Sequence, residues 1–311
     1  MLREELAPPA ALTRTPSARA ERGLLATSVA YLALTKPRIV VLLLVTTVPS
    51  MIVAEGGWPS IGLVLLTLLG GTLAAGGANA INCYVDRDID GLMHRTRSRP
   101  LPSGVIAPER ALAFGLALGA LAFVILLAGA NLLSALLATA ALAFYVFVYT
   151  LWLKRSSPQN IVIGGAAGAM PPMVGWAAVT GGLGWAPVLL FLVIFLWTPP
   201  HFWALALRYQ GDYARAGVPM LPVVRGDTET RRQMLLYSIA LVATTLVLAP
   251  VAGLGVLYFG VAAALGAVFL LLALRLRLSA SPLASRPLFL YSIFYLALLF
   301  VAMAADRLLL A

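Results

Sequence analysis

Apolar residues run for about 20 positions nine times along the chain, over residues 37–57, 60–84, 110–130, 132–153, 158–179, 185–207, 232–252, 254–275 and 287–306. A helix rising about 1.5 Å per residue needs roughly 20 such positions to cross the hydrocarbon core of a bilayer. The pattern therefore predicts an all-α polytopic membrane protein with about nine transmembrane helices in a single membrane domain, residues 29–311. Residues 1–28 mix Arg, Pro, Ala and Ser with Glu4, Glu5 and Glu21, and read as a mobile cytoplasmic tail. That segment lacks the apolar stretch of a secretory signal, and its acids argue against a transit peptide. Helix breakers concentrate in the fifth span, at Gly164, Gly165, Gly168, Pro171 and Pro172, and between spans seven and eight, at Pro250 and Gly253.

Composition agrees with the periodicity: 61% of the 311 residues are hydrophobic, 11% are charged and the mean hydropathy is +0.94, far from the balance of a soluble protein. The placement of charge adds orientation. Of 22 Lys and Arg residues, 21 lie in the N-terminal segment to Arg38 or in the loops after the even-numbered spans, and Arg307 is the exception. Under the positive-inside rule this predicts a cytoplasmic N-terminus and an external C-terminus, and the expected location is a bacterial inner membrane. The net charge of +10 thus follows from topology and contact with the lipid bilayer, and no nucleic-acid partner is expected. Cys83 is the single cysteine, which excludes an internal disulfide and reads as an apolar filler.

Asn82, Asp86 and Asp90 follow one another at four-residue steps where the second span ends. Such steps keep side chains on one helical face, so the three oxygens form a single polar stripe, with Asp88 nearly opposite. Two carboxylates and an amide oxygen are hard ligands of the kind that hold Mg²⁺, which takes one or two carboxylates and completes its shell with substrate phosphates. The stripe predicts a diphosphate site. A neutral Asn at Asp86 or Asp90 is expected to remove function and leave stability nearly unchanged. The loop after the sixth span, Tyr209-Gln210-Gly211-Asp212-Tyr213, again joins an acid to arginines after an apolar helix. The two loops are expected to face each other across one pocket.

These motifs resemble those of the UbiA superfamily of intramembrane prenyltransferases, which carry Asn-x3-Asp-x3-Asp after the second helix and an acidic motif after the sixth. The likeness is strongest to the haem-farnesylating branch, through Lys36-Pro37-Arg38, the run from Arg95 to Leu101, Tyr149 to Arg155, Gly168 to Pro172, Pro200-His201-Phe202-Trp203 and Asp212-Tyr213 to Pro222. It extends over about residues 30–310. Ala216 replaces the second acid of the wider superfamily's second motif, as in that branch.

The resemblance implies helices around a central cavity open toward lipid. It also implies transfer of farnesyl from farnesyl diphosphate to a vinyl group of protohaem (haem B), giving haem O and diphosphate for terminal-oxidase biogenesis. Asn82, Asp86, Asp90 and Asp212 would hold Mg²⁺, with Asp86, Asp90 and Asp212 catalytic. Arg95, Arg99, Lys154, Arg155, Tyr209 and Tyr213 would contact substrate, while Arg87 and Arg97 are surface charges. Haem is a substrate on this reading, and haem A synthase is an implied partner. His201, alone in an apolar helix, is the candidate anchor for haem iron or a propionate; the alternative is that it satisfies carbonyls freed by Pro199 and Pro200. Trp176, Trp197 and Trp203 suit stacking on a macrocycle or an interfacial belt. Rival readings are a quinone- or chlorin-prenylating relative and a secondary transporter. A transporter would carry acids near mid-span, where this chain has none.

Overall fold

A computed structural model describes residues 16–279, 281 and 284–310. Among these the chain is helical throughout, without strands, and the helices long and apolar enough to cross a membrane number eight, or nine with one bent pair. The protein is a multi-pass membrane protein. The bent pair replaces the first apolar run: α1 (Pro16–Thr35) and α2 (Pro37–Glu55) meet at Lys36 with a 54° change of direction. Helix thus begins at Pro16, inside the segment expected to be a tail, and residues 1–15 lie outside the described part.

The remaining spans follow the hydrophobic pattern with instructive departures. α3 (Ile61–Val85) ends at Asp86, and the short α4 (Arg87–Leu92) continues after it. α5 (Pro108–Gly129) leads to α6 (Leu132–Ala143), which passes into a ten-residue π-helix, Phe144–Leu153, and the turn α7 (Lys154–Ser156). The fifth run divides at Met170 into α8 (Asn160–Ala169) and α9 (Pro171–Thr180), because neither Pro171 nor Pro172 can donate a backbone hydrogen bond to the turn before it. α10 (Trp185–Arg208) carries Pro199 and Pro200 internally, and α11 (Gln210–Arg215) follows it. α12 (Leu221–Val251), bent at Gly226, α13 (Val256–Leu278) and α14 (Ser285–Leu310) complete the fold.

Neighbouring helices close into a ring: α3 packs on α5, α5 on α6, α6 on α9, α9 on α2, α2 on α14, and α14 returns through α13, α12, α10, α8 and the π-helix to α3. The tightest seam is α3 against α5. A Cβ on Gly77 would lie 2.7 Å from the Gly115 carbonyl oxygen, so the two backbones touch, as small residues allow in membranes. At the opposite end from the acidic motif, buried Asp306 accepts from the backbone N–H groups of Gly255 (2.6 Å) and Tyr258 (3.0 Å), capping α13. Arg307, the one basic residue outside the charge pattern, reaches the C-terminus of α2, where a Cβ on Gly56 would meet its Nη2 at 3.2 Å. A cation at a helix C-terminus is favoured by the dipole, which gives its position a structural reason.

Candidate active site

The acidic stripe forms although its helix does not run straight. Asp86 has φ −84° and ψ 3°, a bridge between α3 and α4. The hydrogen bonds from Asp86 N to Asn82 O (2.9 Å) and from Asp90 N to Asp86 O (2.8 Å) nevertheless keep the four-residue repeat across the junction. Asn82, Asp86 and Asp90 are all buried, with Asp86 0% exposed, whereas the Asp88 side chain on the other face is 60% exposed.

Cations surround the stripe. Lys154 Nζ donates to Asp86 Oδ2, which also accepts from Asn82 Nδ2 at 2.6 Å. Arg99 Nη1 donates to Asp90 Oδ2 at 2.7 Å, and Arg155 Nη2 stands 3.6 Å from Asp86 Oδ1. Burial opposes charge on Arg99, but the Asp90 carboxylate and its hydrogen bond outweigh that, raising the guanidinium above its ordinary range. The second oxygens, Asp86 Oδ1 and Asp90 Oδ1, are buried with no hydrogen-bond partner among the described residues.

Arg155 mainly grips Asp88 through two 2.7 Å hydrogen bonds, which hold that carboxyl down at about 2. Asp88 therefore contributes stability above its ordinary value of 3.8 and loses it as pH falls through about 2. Both partners face solvent, so the contribution is small. Arg87 lies 4.5 Å from the centre of the Tyr84 ring, the surface role expected of it.

Lys36 and Thr150 join the site without having been singled out by charge or spacing. Lys36 Nζ donates to Asn82 Oδ1 at 2.8 Å. Thr150 is fully buried in the π-helix; its hydroxyl donates to Tyr145 O (2.8 Å) and accepts from Asn82 Nδ2 (3.1 Å). In a π-helix residues five apart follow one another along a face. Tyr145 with Thr150, and Tyr149 with Lys154, are so related, and the two tyrosine rings stack 5.2 Å apart.

The second loop meets the first through Arg95, which donates to Tyr213 Oη at 3.4 Å and lies 5.7 Å from the centre of the Tyr209 ring. Burial raises the Tyr213 phenol, with Arg95 opposing. Asp212 pairs with Arg215 on its own helix. No group of three or more His, Cys, Asp or Glu side chains placed to hold a metal occurs among the described residues.

His201 lies within α10 rather than in either loop. Its ring is sandwiched between Trp197 (4.2 Å, 16°) and Phe289 (4.8 Å, 24°), and Nδ1 is 2.7 Å from Ser292 Oγ. Ser292 Oγ also stands 2.7 Å from Phe289 O, so one hydroxyl joins the imidazole to the backbone of α14. His201 thus bonds Ser292, not a carbonyl freed by the prolines. Trp197 also donates to Ser292 O at 2.7 Å, while Trp203 is fully buried in the core and Trp176 packs against it.

Comparison with known proteins decides the family. The UbiA prenyltransferase family matches residues 43–303. The chain belongs to that family. It is 57% identical over 278 residues to the protoheme IX farnesyltransferase of Roseiflexus sp. (strain RS-1), covering 89% of this chain but only 52% of that protein. The protein of the same name from Gloeobacter violaceus is 56% identical over 299 residues, covering 95% of this chain and 98% of its own length. Among solved UbiA-fold structures, one from a study of digeranylgeranylglyceryl phosphate synthase aligns with TM-score 0.76 at 19% identity, over 91% of this chain and 99% of that one. The Archaeoglobus fulgidus UbiA homolog bound to DMAPP and Mg²⁺ aligns with TM-score 0.58 at 18% identity, over 88% and 98%. This UbiA enzyme is a prenyltransferase, and its acidic motif occupies the arginine-rich end of the fold.

Proposed function

We propose that the protein transfers the farnesyl group of farnesyl diphosphate to a vinyl group of protohaem, giving haem O and diphosphate for terminal-oxidase biogenesis. The observation that carries this reading is the pair of buried, unpartnered carboxylate oxygens, Asp86 Oδ1 and Asp90 Oδ1, inside a ring of Lys36, Lys154, Arg99 and Arg155. Each carboxylate is ion-paired through one oxygen, and a buried acceptor left without a hydrogen bond costs about 1–3 kcal/mol, so the second oxygens suit one more cation. The 57% and 56% identical relatives support farnesyl and protohaem as the substrates.

Asn82, Asp86 and Asp90 would hold Mg²⁺ through hard oxygens, with Asp212 contributing from the second loop on the substrate side. Two carboxylates and one amide oxygen suit an ion whose shell is completed by substrate phosphates. When bound, Mg²⁺ supplies Lewis-acid stabilisation of the departing diphosphate. As the allylic C–O bond breaks, its electron pair leaves on that oxygen, and Lys154, Arg99, Arg95 and Arg155 provide fixed positive charge where the negative charge develops. The vinyl group attacks the farnesyl cation, and water then adds its hydroxyl to the resulting cation and releases a proton. Tyr209 and Tyr213, held by Arg95, line the donor side.

His201 supports the acceptor half. It offers an imidazole whose ring is fixed between two aromatics and whose Nδ1 is engaged by Ser292, suited through Nε2 to haem iron or to a propionate. His201→Ala is expected to weaken haem binding, read from the Soret band, by tenfold or more on the order of a lost buried contact, with farnesyl diphosphate affinity within a few-fold of the parent. Unchanged haem titration in the folded variant rejects the anchor. The 21-to-1 distribution of basic residues supports a cytoplasmic N-terminus and an external C-terminus in a bacterial inner membrane, and haem A synthase is the partner that haem O production would call for. Purified protein incubated with haem, farnesyl diphosphate and Mg²⁺ should yield a hydroxyethylfarnesyl haem by mass spectrometry. Prenylation of a phenolic acid with haem left unchanged overturns the acceptor.

A further inference from the structure

Lys36 is the one non-glycine residue with positive φ among the described residues, at φ 53° and ψ 59°. The left-handed conformation is disfavoured for a lysine, and such strain persists where surrounding structure over-determines it. Pro37 opens α2 and bars Lys36 from the right-handed helical region, but an extended backbone would satisfy that restriction equally well. The turn adopted instead brings Nζ to 2.8 Å from Asn82 Oδ1, 46 positions away in sequence.

The amide that Lys36 touches is held in one orientation. Asn82 Nδ2 is committed to Asp86 Oδ2 and Thr150 Oγ1, and Thr150 can only accept, since its own proton goes to Tyr145 O. Oδ1 must therefore face Lys36. A lysine placed merely to satisfy charge topology would extend into water; this half-buried one lies between α1 and α2 and reaches across to α3.

We propose that Lys36 binds the diphosphate of the prenyl donor and competes with the divalent ion for the Asn82 amide oxygen. The inference rests on the reading that Asn82, Asp86 and Asp90 receive an ion and a diphosphate together. An ammonium and a metal ion both seek Asn82 Oδ1, and their like charges repel. Diphosphate attracts both, so it draws the ammonium off the amide and leaves that oxygen to the ion. Binding of ion and diphosphate is consequently cooperative, with Lys36 as the residue that couples them.

The test uses the full-length protein in detergent, with Mn²⁺ followed by electron paramagnetic resonance and farnesyl thiodiphosphate, a slow-reacting donor analogue, followed by calorimetry. Lys36→Met keeps the length of the side chain and removes its charge. It should bind Mn²⁺ alone several-fold to about tenfold more tightly than the parent, while affinity for the thiodiphosphate falls about ten- to a hundredfold, as expected for loss of one charge-assisted hydrogen bond. Lys36→Arg should keep thiodiphosphate affinity within a few-fold. Lys36→Gly relieves the strained turn and should behave like Lys36→Met. A parallel loss of both affinities in Lys36→Met overturns the proposal, as does parent-like thiodiphosphate binding in Lys36→Gly. A parent protein that binds neither probe overturns instead the underlying reading of the site.

Discussion

Asp86→Asn reduces prenyl transfer by about three orders of magnitude or more, since Lewis-acid and electrostatic stabilisation of a leaving group are worth several kcal/mol and each 1.36 kcal/mol is tenfold. The amide keeps the shape of the carboxyl group and its contact with Asn82, but it removes the charge facing Lys154. Because Lys154 is only 12% exposed, it is left as a buried cation without its counter-ion, and breaking such a pair costs about 3–5 kcal/mol. The variant should therefore melt earlier as well, a correction to the expectation that a polar residue at a helix end is thermally neutral. Asp90→Asn should lose activity to a similar degree with a smaller drop in melting temperature, because its partner Arg99 is 29% exposed and can be resolvated. Asp88→Asn should keep activity within a few-fold, since its pairing with Arg155 is a surface interaction worth about 0–1 kcal/mol. Initial rates beside thermal unfolding in detergent measure all three, and a fully active Asp86→Asn protein would remove the acidic stripe from the mechanism.

Periodicity made the stripe legible because a four-residue repeat survives the bend at Asp86: the hydrogen bonds that define the repeat bridge α3 and α4. Hydropathy placed the spans for a similarly simple reason, that lipid requires each crossing helix to satisfy its own backbone. Residues whose roles depend on long-range approach were not legible. Lys36 resembles any basic residue at a helix end until the bend between α1 and α2 aims it at Asn82. Thr150 lies in an aromatic run, Phe144–Leu153, whose composition cannot distinguish α from π. The extra residue per turn is nevertheless what aligns Tyr145 with Thr150 and Tyr149 with Lys154. The expected meeting of Asp212 with the first motif is likewise a tertiary matter. In the structure the loops join through Arg95 and Tyr213, while Asp212 turns to Arg215 three residues on, a local pairing that needs no long-range approach.

Gly164→Ala should damage both the fold and the active site, whereas Gly168→Ala, one turn along the same helix α8, should damage neither. The two glycines look equivalent in sequence. A Cβ on Gly164 would lie 2.2 Å from Tyr149 Cδ2 and 2.9 Å from its Cγ, while a Cβ on Gly168 meets nothing within 4 Å. The Tyr149 ring is stacked on Tyr145, so making room shifts the π-helix carrying Thr150 and, with it, Lys154, which follows in α7. Overpacking of this kind costs about 1–3 kcal/mol. The associated displacement of Lys154 from Asp86 should lower turnover by about tenfold or more, as misplacement of about 1 Å near reacting groups can cost a hundredfold. Gly168→Ala should instead raise the melting temperature slightly, because alanine is favoured over glycine in a helix by up to about 1 kcal/mol. Adding Tyr149→Leu to Gly164→Ala makes room for the new methyl group and should restore much of the lost thermal stability. A double variant no more stable than Gly164→Ala alone would place the clash elsewhere and disconnect the glycine from the π-helix.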